Sequence, residues 1–310
     1  MNSFNGVFLS LAAAAMLGLN TAVVRRGVLK TSAYNGMMIS IPLSIPVFFF
    51  ISMATGQLNR ISEFSSFDYL VLGIAGIINF LGGRYSQFLA IQAVGANLTA
   101  PVRVLSALFG AVLGGLFLGE EITLLRGFGI VLIILAPLIA FLKPGEIAVG
   151  LFDLPRGILF GLICALSYGG STFLLRLILA DTDLVFLGAF IAHLAATIVL
   201  VISLGIPGRI HELRKIDKQA IRLFAVIAVI MTFAQIFRFS AIEMTDTAVV
   251  APLIETGLFF GIGFAYVFNR KTENFSPAVL GGIFIAVIGA IAIAAERLRK
   301  IKPELKFFPP

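Results

Sequence analysis

Four ionisable side chains stand inside otherwise apolar runs of this sequence: Arg84, Arg103, Arg238 and Glu255. A charge at the centre of a bilayer costs about 2.5 to 3.5 kcal/mol on insertion scales, so such residues need a partner or a watery cavity. Guanidinium is planar and forks onto carboxylate or phosphate through two N–H donors. Three guanidiniums against one carboxylate leave a surplus of two positive charges. A dry interior does not hold that surplus without a counter-ion. The chemistry these residues suit is recognition of an anionic group on a small molecule. Glu255 would either exchange a proton or pair with Arg103. The plainer alternatives are arginines that snorkel from helix ends and an Arg103–Glu255 bridge that is only structural.

Spacing groups these residues further. Arg84 and Gln87 lie three residues apart, as do Gln235 and Arg238, so each pair shares a helical face. An offset of 151 residues aligns Arg84 with Gln235 and Gln87 with Arg238, which swaps the order between two segments. Thr99, Arg103, Ser106 and Gly110 form a polar stripe at helical spacing, and Glu255 falls one residue away from the position equivalent to Arg103. Asn20, Tyr168 and Thr172 are candidates for a substrate's polar groups, and interhelical hydrogen bonding accounts for them equally well. His193 stands alone and reads as an interhelical donor, while Arg25 and Arg176 read as markers of membrane interfaces.

The elements that must hold these groups follow from composition. Of 310 residues 59% are apolar and 13% charged, with a mean hydropathy of +1.04. An ordinary soluble domain carries about a quarter charged residues, so the chain belongs in a bilayer. Apolar runs of about 20 residues predict ten spans. The first five are Phe4–Val24, Ala33–Gly56, Phe67–Val94, Leu98–Leu118 and Thr123–Leu142; the second five are Arg156–Ala180, Asp183–Gly205, Gln219–Ile242, Ala248–Phe268 and Phe275–Ala295. The N-terminus lacks a basic region before its apolar run and reads as a retained first span instead of a signal peptide.

What is left over excludes several functions. There is no room for a separate soluble catalytic domain, the +7 charge is scattered, and no segment suits nucleic acid. The basic balance fits an anionic lipid surface better. One cysteine, Cys164, cannot form an intrachain disulfide, two distant histidines make no metal cluster, and no cofactor is expected. An enzyme is disfavoured because neither histidine has a nucleophile and an acid at readable spacing. A primary pump is disfavoured because there is no phosphate-binding loop of the Walker type.

The offset of 151 also reveals a duplication. Gly6, Leu11, Ala14, Gly18, Thr21 and Arg25 match Gly157, Leu162, Ala165, Gly169, Thr172 and Arg176, and Phe88, Ala90, Ile91, Ala100, Pro101, Phe109 and Gly110 match Phe239, Ala241, Ile242, Ala251, Pro252, Phe260 and Gly261. Residues 1–142 would form a first five-helix repeat, 143–155 a linker, 156–296 a second repeat and 297–310 a basic tail. Five spans per copy is odd, so the copies cross the membrane in opposite senses. The expected fold is an all-α integral membrane protein of ten transmembrane helices in two inverted five-helix repeats, a recurring plan of secondary transporters. Gly110–Gly114 and Gly257–Gly261 have the spacing that lets helices approach closely.

The pattern of Asn20 and Arg25 in a Gly/Ala-rich first span, its copy with Tyr168, Thr172 and Arg176, the Ala100–Pro101 and Ala251–Pro252 steps, and the Gly119–Glu120 pair before Gly127 and Gly129 resembles the drug/metabolite transporter superfamily, in its ten-helix EamA-type branch. The resemblance covers roughly residues 4 to 296 and departs at Glu120, whose equivalent is Lys271, with Glu273 two residues late. It implies a central cavity lined by spans one, three, four, six, eight and nine, and cytoplasmic termini. Counting loop arginines and lysines favours the reverse orientation weakly, with 8 on the termini side and 12 on the other; the family orientation in a cell membrane, inner or plasma, is the expectation adopted. The expected partners are a small-molecule substrate and the lipid bilayer, without nucleic acid, and a homodimer is left open. The expected function is secondary transport, by alternating access, of a small metabolite with an anionic group such as an amino acid or organic acid, proton-coupled or by exchange. The alternatives are a broad exporter of neutral or aromatic metabolites or drugs, selected by some of the 30 phenylalanines, and a non-transporting receptor or scaffold.

Overall fold

The computed structural model describes residues 2–118, 123–142, 153–179, 182–244, 250 and 253–304. Among these residues all regular structure is helical: α1 (Asn2–Val28), α2 (Ala33–Ser40), α3 (Ser44–Ala54), α4 (Ser66–Ile77), α5 (Tyr85–Leu118), α6 (Leu124–Leu142), α7 (Leu154–Leu179), α8 (Val185–Ser203), α9 (Arg209–Arg214), α10 (Lys218–Met244), α11 (Gly257–Asn269) and α12 (Pro277–Glu304). Seven helical runs are long and apolar enough to cross a membrane, and Leu253–Asn269 and Pro277–Ile293 are shorter apolar helices. The chain is a multi-pass membrane protein.

Local sequence sets the breaks. Ser65 opens α4 with a capping box, its hydroxyl accepting from the Asp68 amide while the Asp68 carboxylate accepts from the Ser65 amide. The expected second span is two helices, because the chain turns at 41–43 around Pro42, which has no N–H to donate. Pro101 and Pro137 remain inside α5 and α6. The run Ser66–Phe117 is 52 residues long, far more than one bilayer crossing needs at about 1.5 Å per residue. Its direction changes at Gly95, whose φ of 85° and ψ of 168° lie outside any helix. Before that break, Ile78–Arg84 forms a π-helical stretch, the kind of widened turn that re-aims side chains at functional sites.

The packing exchanges elements between the two copies. Helix α1 packs on α10 and α11, and α7 packs on α4 and α5, the equivalent elements of the other copy. Glycines show the correspondence atom by atom. A Cβ on Gly18 would lie 2.6 Å from the Gly261 nitrogen, 2.7 Å from the Phe260 Cβ and 2.8 Å from the Gly257 oxygen; one on Gly169 would meet Gly110 N at 3.0 Å, Phe109 Cβ at 2.6 Å and Ser106 O at 2.7 Å. Each set maps onto the other by the offset of 151. Helices α6 and α12 cross at Gly129 and Gly289, where a Cβ on either would lie 2.7 to 2.8 Å from the other's carbonyl oxygen. One apolar core gathers α1, α2, α5 and α10 around Phe88, Ile91 and Phe224, and a second gathers α5, α6 and α12 around Leu98, Ile133 and Ile283.

Candidate functional site

The π-helical stretch ends on Arg84, and Gly82 and Gly83 let α7 come close to it: a Cβ on Gly83 would lie 2.5 Å from the Tyr168 ring. Arg84 is 8% exposed. Its guanidinium lies 4.8 Å from the centre of the Phe80 ring and beside the Tyr168 hydroxyl, and Nη1 has no hydrogen-bond partner among the described residues. The Tyr168 hydroxyl donates to Gln87 Oε1 at 2.7 Å. Arg84, Gln87 and Tyr168 are thus one polar group.

Arg103 extends this group. It lies within electrostatic reach of Tyr168 and Cys164 on α7 and of Glu255, just before α11. Glu255 in turn faces both Arg103 and Arg238. Arg238, on α10, is exposed on the surface of the helix bundle. Arg84, Arg103, Glu255 and Arg238 are thus linked in a chain of groups within electrostatic reach of one another, through Tyr168 and Glu255.

A cavity of about 20 Å³ adjoins Arg103, lined also by Thr21, Gln87, Asn97, Thr99 and Gly261. That holds a water molecule and not a metabolite. Its lining comes from α1, α5, α11 and, through Ile283, α12, so the tenth span takes part and the expected lining by the sixth and eighth is absent from this cavity. The remaining candidates are scattered. The Thr99 hydroxyl donates to the Gly95 carbonyl at 2.7 Å, and Ser106 is half-buried where α7 crosses α5. Asn20 is buried, its Oδ1 without a hydrogen-bond partner among the described residues. Gln235 is half-buried on α10 and Thr172 is exposed on α7. His193 bonds the Ala189 carbonyl through Nδ1 at 2.7 Å between the Phe48 and Phe80 rings, a satisfied core side chain. Gly119, Glu120, Ala251, Pro252 and most of the linker 143–155 lie outside the described residues.

Arg25, at the end of α1, does more than mark the end of a span. It is 4% exposed and reaches the break in the third and fourth expected spans. Its Nη1 donates to the carbonyls of Ile91 and Gln92, and Nη2 donates to the Thr272 carbonyl at 2.8 Å. Glu273 accepts from the Ala96 amide at 2.7 Å and the Asn97 amide at 3.0 Å, and lies 3.6 Å from Arg25 Nε. A helix end leaves carbonyls or amides unpaired. Here Arg25 satisfies those before Gly95 and Glu273 those after it. Burial pushes the Glu273 carboxyl above the usual carboxylate range, and Arg25 and the two amides pull it back. The sequence signal for this knot was Glu273 itself, out of register with Glu120 and beside a glycine only in space.

The family model described as the EamA-like transporter family matches residues 4–142 and 155–295. A curated protein of Sinorhizobium sp, described as an uncharacterized transporter in the cobO 3' region, is 29% identical over 146 residues, 47% of this chain and 96% of its own. A solved structure described only as "Crystal structure of protein" superposes with a TM-score of 0.61 at 15% identity, covering 95% of this chain and 98% of that one. At that identity the likeness speaks for the fold alone.

Proposed function

The chain belongs to the EamA-like transporter family, and from that premise we propose that it is a secondary transporter working by alternating access, with a small anionic metabolite such as an amino acid or organic acid as its substrate. In this reading the helices make ten crossings, Gly95 dividing the long run in two, and the two copies insert in opposite senses. The packing of α1 on α10 and α11, mirrored by α7 on α4 and α5, supports it. Two near-equivalent packings of the halves give states of similar energy, open to one side or the other. The protein would lie in the cell membrane with cytoplasmic termini.

The observation that carries the substrate class is the buried Arg84, whose Nη1 has no hydrogen-bond partner among the described residues, with Glu255 within electrostatic reach of both Arg103 and Arg238. An incoming carboxylate or phosphate would bind Arg103, Arg84 and Arg238 and compete with Glu255 for them. Glu255 would then either take up a proton or remain the fixed counter-ion. Gln87, Gln235, Thr99, Ser106, Asn20, Tyr168 and Thr172 would meet the substrate's neutral polar groups or hold the arginines in place.

The test is uptake by reconstituted liposomes across a panel of amino acids, organic acids, phosphate esters and uncharged aromatic metabolites. The expected result is uptake of one anionic class by the wild type, loss of that uptake in Arg103→Ala, and altered pH dependence in Glu255→Gln. Transport confined to uncharged aromatics would favour the broad exporter. Unchanged transport of every active compound by both variants would defeat the site assignment.

A further inference from the structure

Among the described residues, the charged ties at the two ends of the bundle differ in burial. At one end Arg25 and Glu273, with side chains 5% and 0% exposed, join α1, the α11–α12 connection and both sides of the Gly95 break. Asn97 adds a bond from its side-chain amide to the Asn274 carbonyl at 2.9 Å. The small cavity beneath is lined by Ala96, Asn97, Thr99, Ala100 and Arg103, so the ion pair sits over the same turn of helix that leads to the central arginine. At the other end the comparable charged tie is Arg60 with Glu63 and Asp183, which is exposed and lies at the rim. Arg238 is solvent-exposed and stands 20 residues beyond Lys218 in α10, about 30 Å along a helix. Lys218 adjoins Gln219, which bonds Lys30 at the Arg25 end. The charged region therefore runs from Arg103, beside the pair, to Arg238 toward the opposite end of the bundle.

We propose that the Arg25–Glu273 pair is the latch that shuts the passage at its own end and that must part before the central site opens there. This rests on the transport reading above. The pair holds the carboxyl end of one half-helix and the amino end of the next at a single ion pair. Parting it frees five backbone groups, the carbonyls of Ile91, Gln92 and Thr272 and the amides of Ala96 and Asn97, to take up water together. The half-helix that starts at Ala96 also carries Thr99, Arg103 and Ser106. Unlatching thus displaces the substrate-facing stripe in the same movement that opens the passage. Gly95 allows the hinge, because its φ of 85° suits a residue without a Cβ.

The test reads accessibility and needs no substrate, so a failed uptake panel and a failed latch give different results. Ala100→Cys, made with Cys164→Ala to remove the native thiol, is labelled with a membrane-impermeant maleimide from each side of sealed vesicles. The exposed Lys215, beside the Arg25 end in α9's loop, is replaced by Cys in a parallel protein to identify which side is which. In the otherwise native chain the Arg25 side labels slowly. Glu273→Gln and Arg25→Gln are expected to raise that rate about tenfold or more, as the open population grows, with no rise from the opposite side. If Glu273→Gln fails to fold, Arg25→Lys keeps the charge but replaces the planar fork that spans the Ile91, Gln92 and Thr272 carbonyls with a single point of contact, and is expected to give an intermediate rate. An unchanged rate in a folded variant, or an equal rise from both sides, would overturn the latch.

Discussion

Arg84 illustrates how much a single side chain's surroundings decide. Its charge is buried against Phe80 and the Tyr168 hydroxyl, and Tyr168 is held by Gln87. Tyr168→Phe removes one hydroxyl and leaves the Gln87 acceptor unpaired, a loss of about 1 to 1.5 kcal/mol. The expected outcome is an unfolding temperature lowered in keeping with that loss in the ligand-free protein and anion affinity weakened roughly five- to tenfold, measured as unfolding temperature without ligand and its ligand-dependent shift. Arg84, Arg103, Arg238 and Glu255 were legible as candidates because the cost of charge in hydrocarbon acts on each residue singly, and Gln87 through its spacing from Arg84. Arg25 was not. Its position near the end of α1 suggests an interface, and what buries it comes from Ile91, Gln92 and Thr272, far away in sequence.

Helices meet here through glycines, and the meeting is selective. Gly169 has α5 backbone within 3.0 Å of where a Cβ would stand, whereas its neighbour Gly170 has nothing within 4 Å. Gly169→Ala is expected to destabilise by about 1 to 3 kcal/mol through overpacking, and Gly170→Ala to be neutral or slightly stabilising. Thermal unfolding in detergent distinguishes them. Gly95→Ala is expected to be worse than Gly170→Ala for two reasons. Its φ is 85°, and an added Cβ would lie 2.6 Å from Glu273 Oε2. The four-residue glycine steps and the 151-residue duplication made the close approach of the halves readable in advance. The π-helical stretch and the split at 41–43 were not readable, because both depend on how neighbouring helices take up freed carbonyls.

At the scale of the whole molecule, the all-helical membrane class was legible from composition and repeat. The size of the cavity was not, since it depends on which way the halves lean. The rim tie of Arg60 to Glu63 and Asp183 crosses from one copy to the other. Arg60 holds both carboxyls below the usual carboxylate range. Carboxyls lowered by folding add stability at neutral pH and lose it as pH falls through their lowered values. Asp183→Asn is therefore expected to lower the unfolding temperature slightly at pH 7, with the difference vanishing in strong acid and shrinking in about 1 M salt, where screening acts within about 3 Å. Recognition of an anion by the interior guanidiniums is the step on which transport of this class depends. The direct measurement is equilibrium binding of the transported acid and of its uncharged methyl ester to purified protein. The account predicts that the wild type binds the acid at least tenfold more tightly than the ester, a difference of about 1.4 kcal/mol, and that Arg103→Ala loses that preference; equal binding of acid and ester by the wild type would contradict it.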